Sequence, residues 1–172
     1  VQIRRAKPAD YPVCVALEGS VLTSLTWQMV EQSAADRFAV EFRPSRLPRP
    51  VAVGVRRPEG DPLQRLAASD LLLVAELEDV QGYLRAMRRE GVAWLEEVVV
   101  QPQFRRQGVA TALIQAARSW AREQGLPALV AEVPSRHQPA ICLLQACAFV
   151  FCGFDDHRYD GRDIVIKFAL RT

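Results

Sequence analysis

Between Trp94 and Ala117 the chain reads WLEEVVVQPQFRRQGVATALIQAA: a valine-rich strand, a proline-containing turn, the Arg105-Arg106 pair, Gly108, then a run with helical periodicity. A strand feeding a glycine-bearing turn aims the unpaired backbone N–H groups of the next helix's first turn at one point. The positive end of the helix dipole lies there too, so an anion is stabilised without any particular side chain. Gly108 removes a Cβ that would obstruct a phosphate, and Ala110 keeps the next turn open. Arg105 and Arg106 are expected to add charge-assisted hydrogen bonds to its oxygens. Taken alone, Arg-x-x-Gly-x-Ala also fits an ordinary strand-to-helix turn with a solvated arginine pair.

The remaining pattern sets this unit in an α/β sheet. VQIRRA from Val1 reads as an edge or first strand, and Pro8-Ala9-Asp10 opens a helix through about Glu18. Residues 19–36, where Leu22, Leu25, Trp27 and Met29 lie among Ser, Thr and Gln, read as an amphipathic helix completing the core. Arg37 to Arg57 holds two strand-like stretches, FAVEF and VAVGV, around an RPSRLPRP turn, with Phe38, Val40 and Phe42 on one face. Pro58 to Ser69 reads as an exposed loop. LLLVAEL from Leu71, VQGYLRAMRR from Val80 and AWLEEVVV from Ala93 form an antiparallel meander. The Gly108 helix ends near Gly125, and ALVAEV from Ala128 is a short buried strand. A helix spans Gln138 to Cys147, and FVFCGF and RDIVIKFAL are the arms of a final hairpin turning at DDHRYDG.

With 172 residues, 49% of them hydrophobic, and no repeat or linker, residues 1–172 read as a single domain. A net charge of +2 carries no nucleic-acid or membrane signal. No run approaches the roughly 18 apolar residues of a membrane span, and VQIRRAKPAD lacks the apolar stretch of a signal peptide, so a cytoplasmic location is expected. Cys14, Cys142, Cys147 and Cys152 form no C-x-x-C and have two His to accompany them, so no metal site is expected. Cys142 and Cys147 read as small hydrophobes in a helical run.

The spacing Val100-x-Pro102, Arg105-x-x-Gly108-x-Ala110 and then a helix resembles the coenzyme-A-binding motif of the GNAT superfamily of N-acetyltransferases. A second match follows in register. EVPSRHQPAICLLQACAF, Glu132 to Phe149, resembles that family's strand-end Glu, its Asn-x-x-Ala-Ile-x-Leu-Tyr helix and its Gly-Phe. The tail FCGFDDHRYDG is similar to the end of the streptothricin-type members. The resemblance covers Trp94 to Thr172. It implies a GNAT-like α/β fold: a mixed, mostly antiparallel sheet flanked by helices, with the strands at Ala93 and Ala128 forming a splayed parallel pair. It further implies that acetyl-coenzyme A lies in that wedge, its pantetheine arm along Val98, Val99 and Val100. The pyrophosphate would lie on Arg105, Arg106, Gln107, Gly108, Val109, Ala110 and Thr111, and His137, Ala140 and Leu144 would face the cofactor from the second helix. The segment after Gly19 would wall the acceptor side.

Acetyl transfer to an amine needs a deprotonated nucleophile, a polarised thioester carbonyl and a proton for the departing thiolate. By the resemblance, Glu132 stands where several members place a general base; the alternative is a strand-end carboxylate paired with Arg136 or Arg158. Glu96 and Glu97 are the rivals. Adjacent strand residues point to opposite faces, so at most one is expected in the cleft, with Trp94, Glu96, Val98 and Val100 on one face and Leu95, Glu97 and Val99 on the other. Three departures matter: Leu144 replaces the family's Tyr, His137 its helix-initial Asn, and Ala148 the Gly before Phe149. Tyr159, Tyr83, His137, a cysteine or solvent are then left to protonate the thiolate; Tyr159 otherwise packs at the hairpin, and His137 otherwise caps its helix. The expected activity is N-acetylation of a primary amine of a small polyamine-like or antibiotic molecule, or of a protein N-terminus or lysine. The alternative is a non-catalytic acyl-coenzyme-A-binding regulatory module. A homodimer is left open.

Overall fold

In a computed structural model that describes residues 1–54, 60–156 and 164–172, the chain builds a seven-stranded sheet and a separate two-stranded ribbon. The strands are β1 (Gln2–Arg5), β2 (Val21–Ala34), β3 (Arg37–Val53), β4 (Leu71–Glu76), β5 (Val80–Arg89), β6 (Val92–Val100), β7 (Ala128–Pro134), β8 (Val150–Asp155) and β9 (Val165–Arg171). The helices are α1 (Tyr11–Ala16), α2 (Pro62–Ala67), α3 (Val109–Glu123) and α4 (Gln138–Ala146). The sheet order is β1-β4-β5-β6-β7-β9-β8, antiparallel throughout except for the parallel pair β6/β7. That crossover runs through α3, whose Val109, Leu113, Ile114, Ala117 and Trp120 seat it on the sheet. On the α3 and α4 side lies the larger core; a smaller one, built by Cys14, Leu17, Leu66, Val74, Tyr83 and Val99, fills the space under α1 and α2.

Three sequence expectations change. Residues 19–36 hold no helix: Val21–Ala34 is a strand paired with β3 from Val21↔Val53 to Ala34↔Arg37. The Thr, Val, Trp and Ser of this stretch favour extended backbone, and pairing satisfies that backbone where a helix would have to bury a poorly defined apolar stripe. RPSRLPRP is not a turn, because β3 runs straight through it. Both strands of a two-stranded ribbon are edges, so a proline's missing N–H can face outward without breaking the ladder. The register jumps from Thr23↔Val51 to Leu25↔Arg46, which lets Leu47 to Pro50 bulge out opposite Ser24. Phe38, Val40 and Phe42 do alternate onto one face of β3, but Phe38 is 81% exposed, whereas Phe42 packs its ring 5.8 Å from Phe151 and 5.7 Å from Phe154. Lastly, within Pro58 to Ser69 residues 62–67 form α2, capped by Asp61, which accepts from the Leu63 N–H at 2.9 Å, and anchored by Leu66, 1% exposed.

The alternation expected along β6 is also broken. Arg85 pairs with Glu97 and Ala86 with Leu95, so Glu96 is an inserted residue, a β-bulge. Before it Ala93 and Leu95 face the larger core; after it Val98 and Val100 do, while Val99 enters the smaller core. The bulge turns Glu96 and Glu97 to the same face, where the Arg85 guanidinium lies 3.5 Å from one carboxylate and 3.8 Å from the other.

Candidate active site

The β6/β7 ladder consists of Ala93↔Leu129, Trp94↔Val130 and Leu95↔Ala131, and there it stops. Glu96 and Glu132 are the first residues past the last pair, one on each arm of a wedge. The bulge provides the physical reason, since an extra residue bends its strand and increases its twist just where pairing ends. From Val98 to Val100, β6 keeps its bonds to β5 and turns its other edge to the wedge. This is a strip of peptide groups able to pair with an extended amide-bearing ligand. Gly82, opposite Val100, lets the strands approach: a Cβ there would come within 2.5 Å of the Val99 carbonyl oxygen.

At the wedge's outer end the chain turns through Arg106 (φ 63°) and Gly108 (φ 83°) into α3. The first intrahelical bond runs from Ala112 N–H to the Gly108 carbonyl at 2.9 Å. The N–H groups of Val109, Ala110 and Thr111 therefore have no intrahelical acceptor and open outward, as a cradle for an anion requires. A Cβ on Gly108 would meet nothing within 4 Å. The glycine is demanded by its left-handed backbone, and the space a Cβ would enter is the space a phosphate would fill. Arg106 and Gln107 are exposed beside it, and the Gln107 Nε2 donates to the Gln103 carbonyl at 2.9 Å.

Arg105 departs from the expected oxyanion contact. Its Nε donates to the Val100 carbonyl, its Nη1 to that of Ser20 and its Nη2 to that of Glu18, each at 2.9 Å. Across the mouth, the His137 Nδ1 accepts from the Ala140 N–H at 3.2 Å and caps α4. Burial, reinforced by the positive Arg105, holds this imidazole below its usual range and so keeps it neutral, as an acceptor must be. Ala140 is half-buried. Leu144 is 3% exposed within the larger core, where an aliphatic side chain has no proton to give.

Glu96 and Glu132 lie at the apex with Glu97 buried beside it, and each of the three has a cationic neighbour. Glu132 is ion-paired with Lys167, its register partner on β9, at 3.3 Å, with its side chain 11% exposed. Glu96 meets Arg89 at 2.8 Å. Glu97 is buried under α2, ion-paired with Arg65 and accepting the Tyr83 hydroxyl at 2.5 Å. Its carboxylate and the Tyr83 hydroxyl are buried together in this cluster. Tyr159 and Arg158 lie outside the described residues. Sequence reasoning missed Arg65, Arg85 and Gly82. A helix-borne Arg facing a strand Glu carries no local signal, and Gly82 reveals itself only through the neighbouring strand. Of the cysteines in α4 and its C-cap, Cys147 is buried as expected, but Cys142 is exposed. Among the described residues no cluster of three His, Cys, Asp or Glu side chains could hold a metal ion, and no helix is long and apolar enough to cross a membrane.

The sequence and the fold are similar to those of known proteins. Residues 27–149 match the Acetyltransferase (GNAT) family. The chain is 27% identical over 169 residues to the streptothricin acetyltransferase of Streptomyces lavendulae, covering 93% of this chain and 87% of that protein. Its fold superposes on the crystal structure of nourseothricin acetyltransferase with a TM-score of 0.82 at 24% identity, over 99% of this chain and 97% of that one. A candidate streptothricin acetyltransferase of Bacillus anthracis, solved in complex with acetyl coenzyme A, gives a TM-score of 0.81 at 19% identity over the same shares.

Proposed function

Because the chain belongs to the GNAT family and is an acetyl-coenzyme-A-dependent acetyltransferase, we propose that its acceptor is a primary amine of a small streptothricin-like antibiotic, attacked directly with Glu132 as base. The observation carrying this reading is that the likeness to the streptothricin enzyme extends over 93% of the chain, the β2–β3 ribbon included, and not only over the donor half.

In this proposal the pantetheine amides pair with the free edge of Val98 to Val100, and the pyrophosphate takes the N–H groups of Val109, Ala110 and Thr111. The acetyl carbonyl then lies at the apex, beside Glu96 and Glu132. The amine nitrogen forms its bond to the carbonyl carbon while its proton passes to the Glu132 carboxylate, directly or through one water. Collapse breaks the C–S bond. With Leu144 apolar and Tyr83 sequestered, solvent protonates the thiolate, which is a good enough leaving group to need no fixed acid.

The test is thiol release from acetyl-coenzyme A against streptothricin, aminoglycosides, polyamines and N-terminal peptides. Streptothricin should give the highest kcat/KM, and preference for a peptide amine would overturn the acceptor assignment. Glu132→Gln should lower kcat by about 100-fold while acetyl-coenzyme A affinity stays within about threefold. Full activity of this variant would make the Glu132–Lys167 pair purely structural.

A further inference from the structure

Arg105 has three of the five N–H donors of a guanidinium committed to backbone carbonyls. One of these, Val100, ends the strand that borders the donor side of the wedge. The other two, Glu18 and Ser20, belong to the loop that launches β2, and the Glu18 carboxylate accepts the Ser20 N–H at 2.7 Å, shaping the turn. Seven residues further on, β2 is fastened again. The Trp27 N–H donates to the Ser135 carbonyl at 2.8 Å, just beyond the end of β7, and its Nε1 donates to Gln138 Oε1 at 2.5 Å, at the start of α4.

The segment from Ser20 to Trp27 thus runs from the C-terminal end of one arm of the wedge to the C-terminal end of the other. It is a strap across the open side, held by Arg105 at one end and by Trp27 at the other. Between the two fixings the Thr23 hydroxyl donates to the Leu25 carbonyl at 2.9 Å, at the point where pairing with β3 slips. The strap's shape is therefore kept by its pairing with β3 on either side of that slip, by the Thr23 bond within it and by its two ends.

We infer that Arg105 is a positioning residue that couples the anion cradle to this strap, so that filling the cradle with the donor's pyrophosphate sets the wall against which the acceptor binds. The physical route is short. Arg105 lies in the backbone turn that ends in the cradle, next to left-handed Arg106 and three residues before Gly108. An anion that orders this turn fixes the root of the Arg105 side chain, and the planar fork passes that constraint to two carbonyls of the strap. Lysine cannot do the same, because one tetrahedral ammonium does not reproduce the fork. By linkage, acetyl-coenzyme A then tightens acceptor binding and acceptor tightens acetyl-coenzyme A binding by the same factor.

This inference uses the acceptor side assigned under the proposed function, but its first test needs no acceptor. Hydrogen exchange of the amides of residues 18–27 is measured with and without acetyl-coenzyme A in wild type, Arg105→Lys and Arg105→Ala. In wild type the donor should slow exchange there by about tenfold or more; in both variants that protection should vanish while calorimetric acetyl-coenzyme A affinity stays within about threefold. Protection persisting in the variants overturns the coupling. So does a loss of donor affinity beyond about tenfold in Arg105→Lys, which would make the side chain a phosphate ligand. If Arg105→Ala does not fold, Trp27→Phe removes the Nε1 bond of the other fixing while keeping its backbone bond to Ser135, and must reduce the protection; unchanged protection overturns the coupling. In the kinetic arm, with streptothricin as acceptor, the variants should raise its KM and, at saturating streptothricin, the KM for acetyl-coenzyme A by a similar factor, with kcat little changed, and the Arg105→Lys, Trp27→Phe double variant should be no worse than the worse single one. Additive effects overturn a shared strap. Absence of wild-type turnover with streptothricin sinks the acceptor assignment alone, since the exchange result stands without it.

Discussion

His137 carries a residue-scale consequence in its ring. Its Nδ1 caps α4 by accepting the Ala140 N–H, which only the neutral imidazole can do, and burial beside Arg105 lowers its tendency to charge. Because the folded value lies below the ordinary 6.5, the unfolded chain binds the proton first. The cap's contribution is therefore complete above about pH 6.5 and is lost as pH falls from there through the lower folded value. His137→Asn keeps a good capping acceptor without a titrating ring. Urea unfolding from pH 7.5 to pH 5 should show wild type losing about 1 kcal/mol more than this variant. Parallel pH profiles would mean that the imidazole cap carries no linked proton.

At the scale of elements, the bulge in β6 and the close approach of β5 decide where the wedge opens. Glu96 is the inserted residue, and pairing with β7 ends one residue before it. The Arg65, Arg85, Tyr83 and Glu97 cluster lies against that irregularity from the α2 side. Gly82 sits four residue pairs further along, where any Cβ would strike the Val99 carbonyl. Carbonyl oxygen is backbone and cannot rotate away, so Gly82→Ala must push β6 toward the wedge and disturb the peptide edge of Val98 to Val100. The expected result is a rise of about tenfold in the KM for acetyl-coenzyme A, with a stability loss of about 1–3 kcal/mol. Unchanged donor kinetics in a folded Gly82→Ala protein would show that the edge takes no part in donor binding.

Across the whole molecule the two cores and the ribbon make different demands on the four free thiols. Cys14 lies in the smaller core, where burial pushes its thiol up to about 12, and burial also raises Cys147 in the α3–α4 core. Cys142 is exposed on α4; Cys152 is exposed on β8, with its thiol raised by partial burial and only partly offset by Lys167. A thiol-reagent time course at pH 8 should therefore resolve one fast thiol, Cys142, a slower one, Cys152, and two that react only in denaturant. Early reaction of Cys14 would reveal that the smaller core under α1 and α2 opens.

Local chemistry made the elements of the half from Leu71 onward legible in the sequence. A strand, a glycine-bearing turn and a helix are each specified within a few residues, so the cradle at Gly108, the meander from Leu71 to Val100 and the two helices flanking β7 were legible before any contact was known. Prolines and turn-forming residues misled where a partner strand could override them, as along β3, and the helix-like spacing of Leu22, Leu25 and Met29 misled in β2, where pairing rather than periodicity decides. The tertiary structure alone determined the rest. It inserted Glu96 against Arg85, turned two neighbouring carboxylates to one face, put Arg65 on Glu97 and drew the Arg105 fork onto the carbonyls of Glu18 and Ser20. These are meetings between residues far apart in the chain, and no local propensity encodes them, because their energy exists only once the sheet has brought both partners together.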